Sequence, residues 1–255
     1  MIDTHTHLYS DAFDEDRDAV IERAQKVGVE KFFLPAIDSS THKAMLELED
    51  RYPESVYAMM GLHPCSVKPD TFESELKEVR SYLDNRSFCA IGEIGIDLYW
   101  DKETLEIQTR AFEQQIDWAI EFDIPIVIHA RESFNEVFEV LERKRHPKLR
   151  GIFHCFTGTQ EQALQAIDLG FLLGIGGVVT FKNGGIDKFL GEIPLKHIVL
   201  ETDSPYLAPV PFRGKRNESS YLQLVAGKLV DVYQTDFAEI KKQTTENALA
   251  LFAIS

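Results

Sequence analysis

At 255 residues, 44 % of them hydrophobic, the chain is long enough for one large domain with a full core and needs no disulfides to hold it. A net charge of −15 excludes the broad basic footprint of a sequence-independent polyanion binder. It leaves room for a small site where metal ions and a few basic residues engage phosphate. No apolar run is long enough to span a bilayer, so no membrane partner is expected.

Met1–Ile2 runs directly into Asp3-Thr4-His5-Thr6-His7, without the charged, apolar and small-residue regions of a signal peptide. The three cysteines, Cys65, Cys89 and Cys155, are odd in number and scattered, which argues against a disulfide framework and reads as core filling. Together these features predict a reduced, cytoplasmic setting. No feature points to an obligate protein partner.

Short apolar runs alternate with amphipathic stretches along the chain. The predicted strands are Ile2–His7, Lys31–Ile37, Val56–Leu62, Cys89–Gly95, Ile126–Ala130, Gly151–Phe156, Phe171–Val179 and Ile198–Thr202. Phe112, Ile116, Ala119 and Ile120 mark a helix before the fifth strand, and Phe134, Val137, Phe138 and Leu141 follow the i, i+3, i+4, i+7 rule after it. Gly28 and Gly170 stand where left-handed residues would end the first and sixth helices. Ser219 to Ile254 reads as two helices. About eight strand–helix units imply parallel strands with right-handed crossovers, closed into an α/β, TIM-type (β/α)8 barrel that forms a single domain over residues 1–255. The rival, an open doubly wound sheet, lacks its usual Gly-x-Gly-x-x-Gly after the first strand.

Ionisable residues sit where such a barrel builds its site. His5 and His7, two apart on the first strand, would share a face. By themselves they suit surface or capped histidines as well as ligands. Glu93 interrupts the apolar run Ala90-Ile91-Gly92, while His129 ends Ile126-Val127-Ile128, His154 ends Gly151-Ile152-Phe153, and Asp203 follows Val199-Leu200-Glu201-Thr202. Any one of these is open to reading as a satisfied core polar group. Repeated at the C-terminal ends of several strands, they point to a site. Imidazoles and carboxylates without cysteine suit a catalytic divalent ion better than a closed structural zinc site.

Glu201 shares a face with Asp203 one layer deeper, where it would orient a histidine or serve as a buried structural acid. His63, in Gly61-Leu62-His63-Pro64, would face substrate or cap its turn. Arg131 follows His129 by two and would lie at the rim. The proline-stiffened stretch from Pro205 concentrates Arg213, Lys215 and Arg216, which reads either as a phosphate-facing loop or as a solvated loop salt-bridged to helices.

The motifs Asp3-Thr4-His5-Thr6-His7, Gly61-Leu62-His63-Pro64, Gly92-Glu93-Ile94-Gly95-Ile96-Asp97, Ile128-His129-Ala130-Arg131, His154-Cys155-Phe156-Thr157-Gly158 and Glu201-Thr202-Asp203-Ser204-Pro205-Tyr206 resemble the signatures of TatD-type metal-dependent deoxyribonucleases. The loop Pro211–Glu218 is similar to that family's loop after the eighth strand. Ser204 stands where the family often has alanine, and Thr157 where it often has serine. The resemblance runs the length of the chain and implies an amidohydrolase-superfamily barrel with two divalent ions (magnesium, manganese or zinc). On that basis His5, His7 and Asp203 would hold one ion, His129 and His154 the other, and Glu93 would bridge them. The expected chemistry is attack on a DNA phosphodiester by water activated between the ions, with Asp203 as general base and DNA or another phosphodiester as partner. Trimming from a 3′ end is a further implication. Amide, ester or lactone hydrolysis is the alternative within the superfamily, and a non-catalytic metal-binding barrel is the alternative outside enzymology.

Overall fold

Runs such as Ile126-Val127-Ile128 are apolar on both faces, as suits a strand packed between a barrel interior and an outer helix. In the computed structural model, which describes residues 1–254, eight such strands form: β1 (Ile2–Asp3), β2 (Lys31–Pro35), β3 (Val56–Met59), β4 (Ile91–Asp97), β5 (Ile126–Arg131), β6 (Gly151–Phe153), β7 (Phe171–Ile175) and β8 (Ile198–Leu200). Eight helices accompany them: α1 (Arg17–Lys26), α2 (Ser39–Arg51), α3 (Phe72–Asn85), α4 (Leu105–Phe122), α5 (Phe134–Arg143), α6 (Gln160–Asp168), α7 (Leu222–Tyr233) and α8 (Phe237–Phe252). Gly28 (φ +85°) and Gly170 (φ +91°) lie just past α1 and α6, the left-handed positions that favour glycine.

Every strand pair is parallel, in the order β1-β2-β3 and β4-β5-β6-β7-β8. Two seams close the ring. Met60 bridges Ile91 between β3 and β4, and Thr6 bridges Ser204 beyond the ends of β1 and β8. The Thr4 amide donates to the Leu200 carbonyl at 3.0 Å across the second seam. The expected (β/α)8 barrel is therefore present, with one departure. Between β7 and β8 there is no α-helix; short 3-10 turns at Gly177–Thr180, Ile186–Lys188, Leu190–Glu192 and Leu195–His197 fill the space. Gly176-Gly177, Gly184-Gly185 and Pro194 leave no uninterrupted stretch in which a longer helix could propagate. For the same reason β7 stops at Ile175 and not at Val179.

The barrel interior is identified by one apolar cluster. Ile2, Phe33, Met59, Ala90, Val127, Ile152 and Val199, one from each of seven strand segments, meet Ala248, Leu251 and Phe252 of α8, with Leu172 of β7 at the margin. α8 thus plugs the floor. Alternation carries several strands from this floor to the mouth: Val127 leads to His129, Ile152 to His154, and Val199 to Glu201. A larger cluster between the strands and the surrounding helices supplies most of the remaining apolar burial.

Close backbone approach at the mouth makes one glycine indispensable. Gly95 has φ +143° and faces His129 across the β4–β5 ladder; a Cβ there would lie 2.0 Å from the His129 carbonyl oxygen. Gly95→Ala should therefore destabilise the fold by about 2–4 kcal/mol, lowering the melting temperature on the order of 10 °C. Thermal unfolding followed by circular dichroism checks this, and an unchanged melt would contradict the required close approach.

Candidate metal centre

The residues that build the centre leave regular strands in order to reach it. β1 ends at Asp3, so the two-residue alternation expected for His5 and His7 on a longer first strand does not operate. Their convergence comes from the β1–β8 seam instead. Asp3 Oδ1 accepts the Thr202 amide at 2.9 Å and Asp3 Oδ2 the Thr202 hydroxyl at 2.7 Å. Above them the Asp203 amide donates to the His5 carbonyl at 2.9 Å and the His7 amide to the Ser204 carbonyl at 2.7 Å. This interlock sets both histidines against Asp203, whose own backbone is left-handed (φ +56°), a conformation that aspartate tolerates better than most residues. On β4, Ala90 belongs to the floor and the register shifts between Ile91 and Ile94. That irregularity turns Glu93 inward where strict alternation would have turned it out.

Glu93 is the hub. Its Oε1 lies 2.7 Å from His129 Nδ1, 3.0 Å from His154 Nε2 and 3.2 Å from His63 Nε2. Its Oε2 lies 3.1 Å from His5 Nε2 and 3.8 Å from His7 Nε2. Asp203 Oδ1 stands 3.6 Å from His5 Nε2 and 3.5 Å from His7 Nε2. The rings of His5 and His154 stack with centroids 3.8 Å apart. All six residues named as ligands from the sequence are therefore brought to one place, at the ends of strands on both sides of the barrel.

Supporting contacts hold the rings. His129 Nε2 meets Asp97 Oδ2 at 2.8 Å, and Asp97 also accepts the Tyr99 and Trp100 amides at 2.9 Å each. Glu201 is fully buried; its Oε1 accepts the Cys155 amide at 2.5 Å and stands 3.4 Å from His154 Nδ1. It lies buried beside the His154 ring without a hydrogen bond to it. His63 does two things at once: Nδ1 caps the turn by accepting the Cys65 amide at 3.0 Å, and Nε2 faces Glu93. A neutral ring whose Nδ1 accepts must carry its proton on Nε2, so His63 presents an N–H donor to the cavity.

Electrostatically the centre calls for positive charge. Burial favours the neutral form of Glu93, yet His154, His63 and His5 outweigh it and hold this carboxyl well below the usual range. Burial likewise opposes ionisation of Asp203, and His7, His154 and His5 bring its pKa below normal. Burial disfavours the charged form of His154, but Glu93 and Glu201 raise it well above an ordinary imidazole. Burial pushes His5 the other way, and neither of its ring nitrogens has a hydrogen-bond partner among the described residues. A buried imidazole nitrogen aimed at two carboxylates without a hydrogen bond to either is an unsatisfied donor set. Three overlapping groups bring ligand atoms within 4.8 Å of one another: His5, His154 and Asp203; His5, His7 and Glu93; and His63, Glu93 and His129. Imidazole and carboxylate donors of this kind fit a divalent ion.

A cavity of about 630 Å³ opens above the cluster, lined by His7, His63, Glu93, Asp97, His129, Arg131, His154 and Asp203 among others. Arg131 is on its wall as expected, its guanidinium 3.9 Å above the Tyr99 ring. The basic loop is not. None of Arg213, Lys215 and Arg216 lines the cavity. Arg216 forms a two-pronged pair with Asp16 at 2.8 Å per bond, and Arg213 lies 4.1 Å over Phe181. For Arg216 the salt-bridged alternative prevails, because the acidic turn before α1 reaches it first. Asp97, Trp100 and Tyr206 also line the cavity, a role that the sequence pattern does not assign to them. Asp97 and Tyr206 lay within recognised motifs; Trp100 carried no sequence signal.

Glu93→Gln keeps the shape of the hub and removes its charge. The variant should lose most of the divalent metal held by the wild-type protein, as measured by elemental analysis after purification, while remaining folded. A variant that keeps its full metal content would remove Glu93 from the centre.

The profile of the family described as TatD related DNase matches residues 2–253. YabD of Bacillus subtilis, an uncharacterized metal-dependent hydrolase, is 39 % identical over 256 residues, covering 100 % of both chains. YcfH of Escherichia coli K12, described in the same words, is 31 % identical over 260 residues, covering 100 % of this chain and 96 % of its own. The crystal structure of YjjV, a TatD homologue from Escherichia coli K12, superimposes with a TM-score of 0.94 at 29 % identity, covering 100 % of this chain and 98 % of that one. The chain therefore belongs to the TatD-related DNase family.

Proposed function

We propose that this TatD-family metal-dependent hydrolase cleaves the phosphodiester bonds of DNA. The observation that carries the reading is the pairing, in one cavity, of a buried carboxylate–imidazole cluster with a free guanidinium. Arg131 pairs with no carboxylate among the described residues, and its guanidinium lies 3.9 Å above the Tyr99 ring, so its donors remain available. An uncharged amide or lactone has no use for that cation, whereas a phosphate can accept two parallel hydrogen bonds from it. The family description, a related DNase, favours the same substrate.

In this reading His5, His7, Glu93 and Asp203, with His129 and His154, would hold the divalent ions. When bound, magnesium, manganese or zinc ions supply the Lewis acidity that makes a hydroxide nucleophile available at neutral pH and offsets phosphoryl charge. The protein's own groups do the rest. Asp203, kept ionised by its histidine neighbours, takes the proton of the attacking water and returns it to the leaving oxygen. Arg131 grips a phosphoryl oxygen as its charge rises. His63 offers its Nε2 proton beside Glu93, and Asp97 and Glu201 keep the His129 and His154 rings in place.

Oligonucleotides labelled at either end, set beside uncharged esters, lactones and amides, test the substrate and the direction of cutting together. DNA should be shortened from its 3′ end; chelation should stop the reaction and divalent ions restore it. Asp203→Asn should reduce kcat on the order of a hundredfold or more. Arg131→Ala should raise KM for oligonucleotides roughly tenfold, as expected for one charge-assisted contact, and flatten its salt dependence. Turnover of a lactone or amide with intact DNA would assign the centre to the other branch of the superfamily.

A further inference from the structure

We infer that Tyr9 is a positioning residue for the metal centre: it fixes His7 as the tautomer with its proton on Nδ1, leaving Nε2 bare toward Glu93 and Asp203. The inference rests on His7 being a metal ligand and not on the nature of the substrate.

The argument is one of proton accounting. Tyr9 is buried, and its hydroxyl oxygen lies 2.6 Å from the Pro35 carbonyl oxygen and 2.9 Å from His7 Nδ1. A carbonyl can only accept. Two oxygens at 2.6 Å without a hydrogen between them would set lone pair against lone pair, so the single Tyr9 proton goes to Pro35. The nearby Thr41 hydroxyl donates to the Asp38 carbonyl at 2.7 Å and supplies no proton to Tyr9. Tyr9 oxygen is then an acceptor toward His7, and His7 Nδ1 must be the donor. In the neutral ring that leaves a lone pair on Nε2. This atom faces Asp203 Oδ1 at 3.5 Å and Glu93 Oε2 at 3.8 Å, separations too long for a useful N–H···O bond. A lone pair and two carboxylate oxygens directed at the same space suit a cation among them.

The contrast with His63 sharpens the assignment. There the Cys65 amide donates to Nδ1 and forces the opposite tautomer, with the proton facing Glu93. Two histidines on one carboxylate are thus set to opposite tasks by what each meets on its far side, a hydroxyl acceptor for His7 and an amide donor for His63. Orienting partners of this kind govern ligand basicity and ring position. Tyr9 adjoins Asp3-Thr4-His5-Thr6-His7 at only two residues' remove, but its hydrogen bond to β2 is a product of folding.

Tyr9→Phe tests the inference while keeping the ring that packs edge-on against His7, centroids 5.7 Å apart. Two readouts are taken on chelator-treated protein. Long-range ¹H–¹⁵N spectra of the wild type should show His7 with its proton on Nδ1, and the variant should show a tautomer mixture. Calorimetric titration with manganese should show affinity falling about tenfold in the variant, with the melting temperature of the metal-free protein little changed. Wild-type His7 protonated on Nε2 would overturn the inference even if the variant failed to fold. Equal manganese affinity in wild type and variant would overturn it too. A wild-type protein that takes up no manganese would instead overturn the ligand reading on which the inference rests.

Discussion

Glu93 holds a carboxylate where water scarcely reaches it, 2 % exposed at the mouth of the barrel. An unpaired charge in such a place costs several kcal/mol, and the cost is met only by partners of opposite sign with good geometry. Five imidazoles supply part of that, arriving from the ends of β1, β3, β5 and β6. They cannot supply all of it, because Asp97, Glu201 and Asp203 stand among them. The same four carboxylates that make the site hostile to a polyanion on its own make it a strong trap for divalent cations. Bound cations would in turn make the site acceptable to phosphate, so a net charge of −15 is compatible with the nucleic-acid substrate proposed above.

Rigidity beneath the centre follows from the barrel's construction. The floor is an apolar plug contributed by every strand and sealed by α8. Above it, the chain departs from regular strand geometry wherever a ligand is delivered. β1 ends early, β4 shifts register, and Asp203 adopts a left-handed backbone. Each departure removes ladder hydrogen bonds, and each is offset by a specific replacement: Asp3 to Thr202, Ser204 to His7, Glu93 to Ala36. Function is therefore bought locally at the rim, where regular pairing is given up, and not in the floor. Gly95 shows how little slack is left, since its neighbour's carbonyl occupies the space of a methyl group.

The histidines illustrate how one residue type does several jobs in one cavity. His7 and His63 approach the same carboxylate with opposite ring ends protonated. His129 lies between two carboxylates, and although burial opposes its charged form, the bonds to Asp97 and Glu93 raise its pKa above the usual value. His5 has no hydrogen-bond partner among the described residues on either nitrogen and stacks on His154. What distinguishes them is the group met by the far nitrogen, a contact set by loops that come from different strands.

Much of this was legible in the sequence because periodicity and chemistry coincide along the chain. Apolar runs of strand length pointed to the barrel, and those ending in a histidine or an acid, with the family resemblance, pointed to the central cluster: His5, His7, Glu93, His129, His154 and Asp203 are together in the structure. Gly28 and Gly170 marked helix ends because only a left-handed residue is needed there. Folding alone decided the rest. Alternation assigns a side to a residue only while the ladder is regular, so it could not foresee the early end of β1 or the inward turn of Glu93 by a register shift. Composition made the loop after β8 look like a phosphate grip, but Asp16, 200 residues away in sequence, claims Arg216. The bonds that orient the rings, Tyr9 to His7 and Asp97 to His129, likewise join atoms through space. A proton's position on an imidazole depends on what stands on its far side, and only the closed barrel places that group.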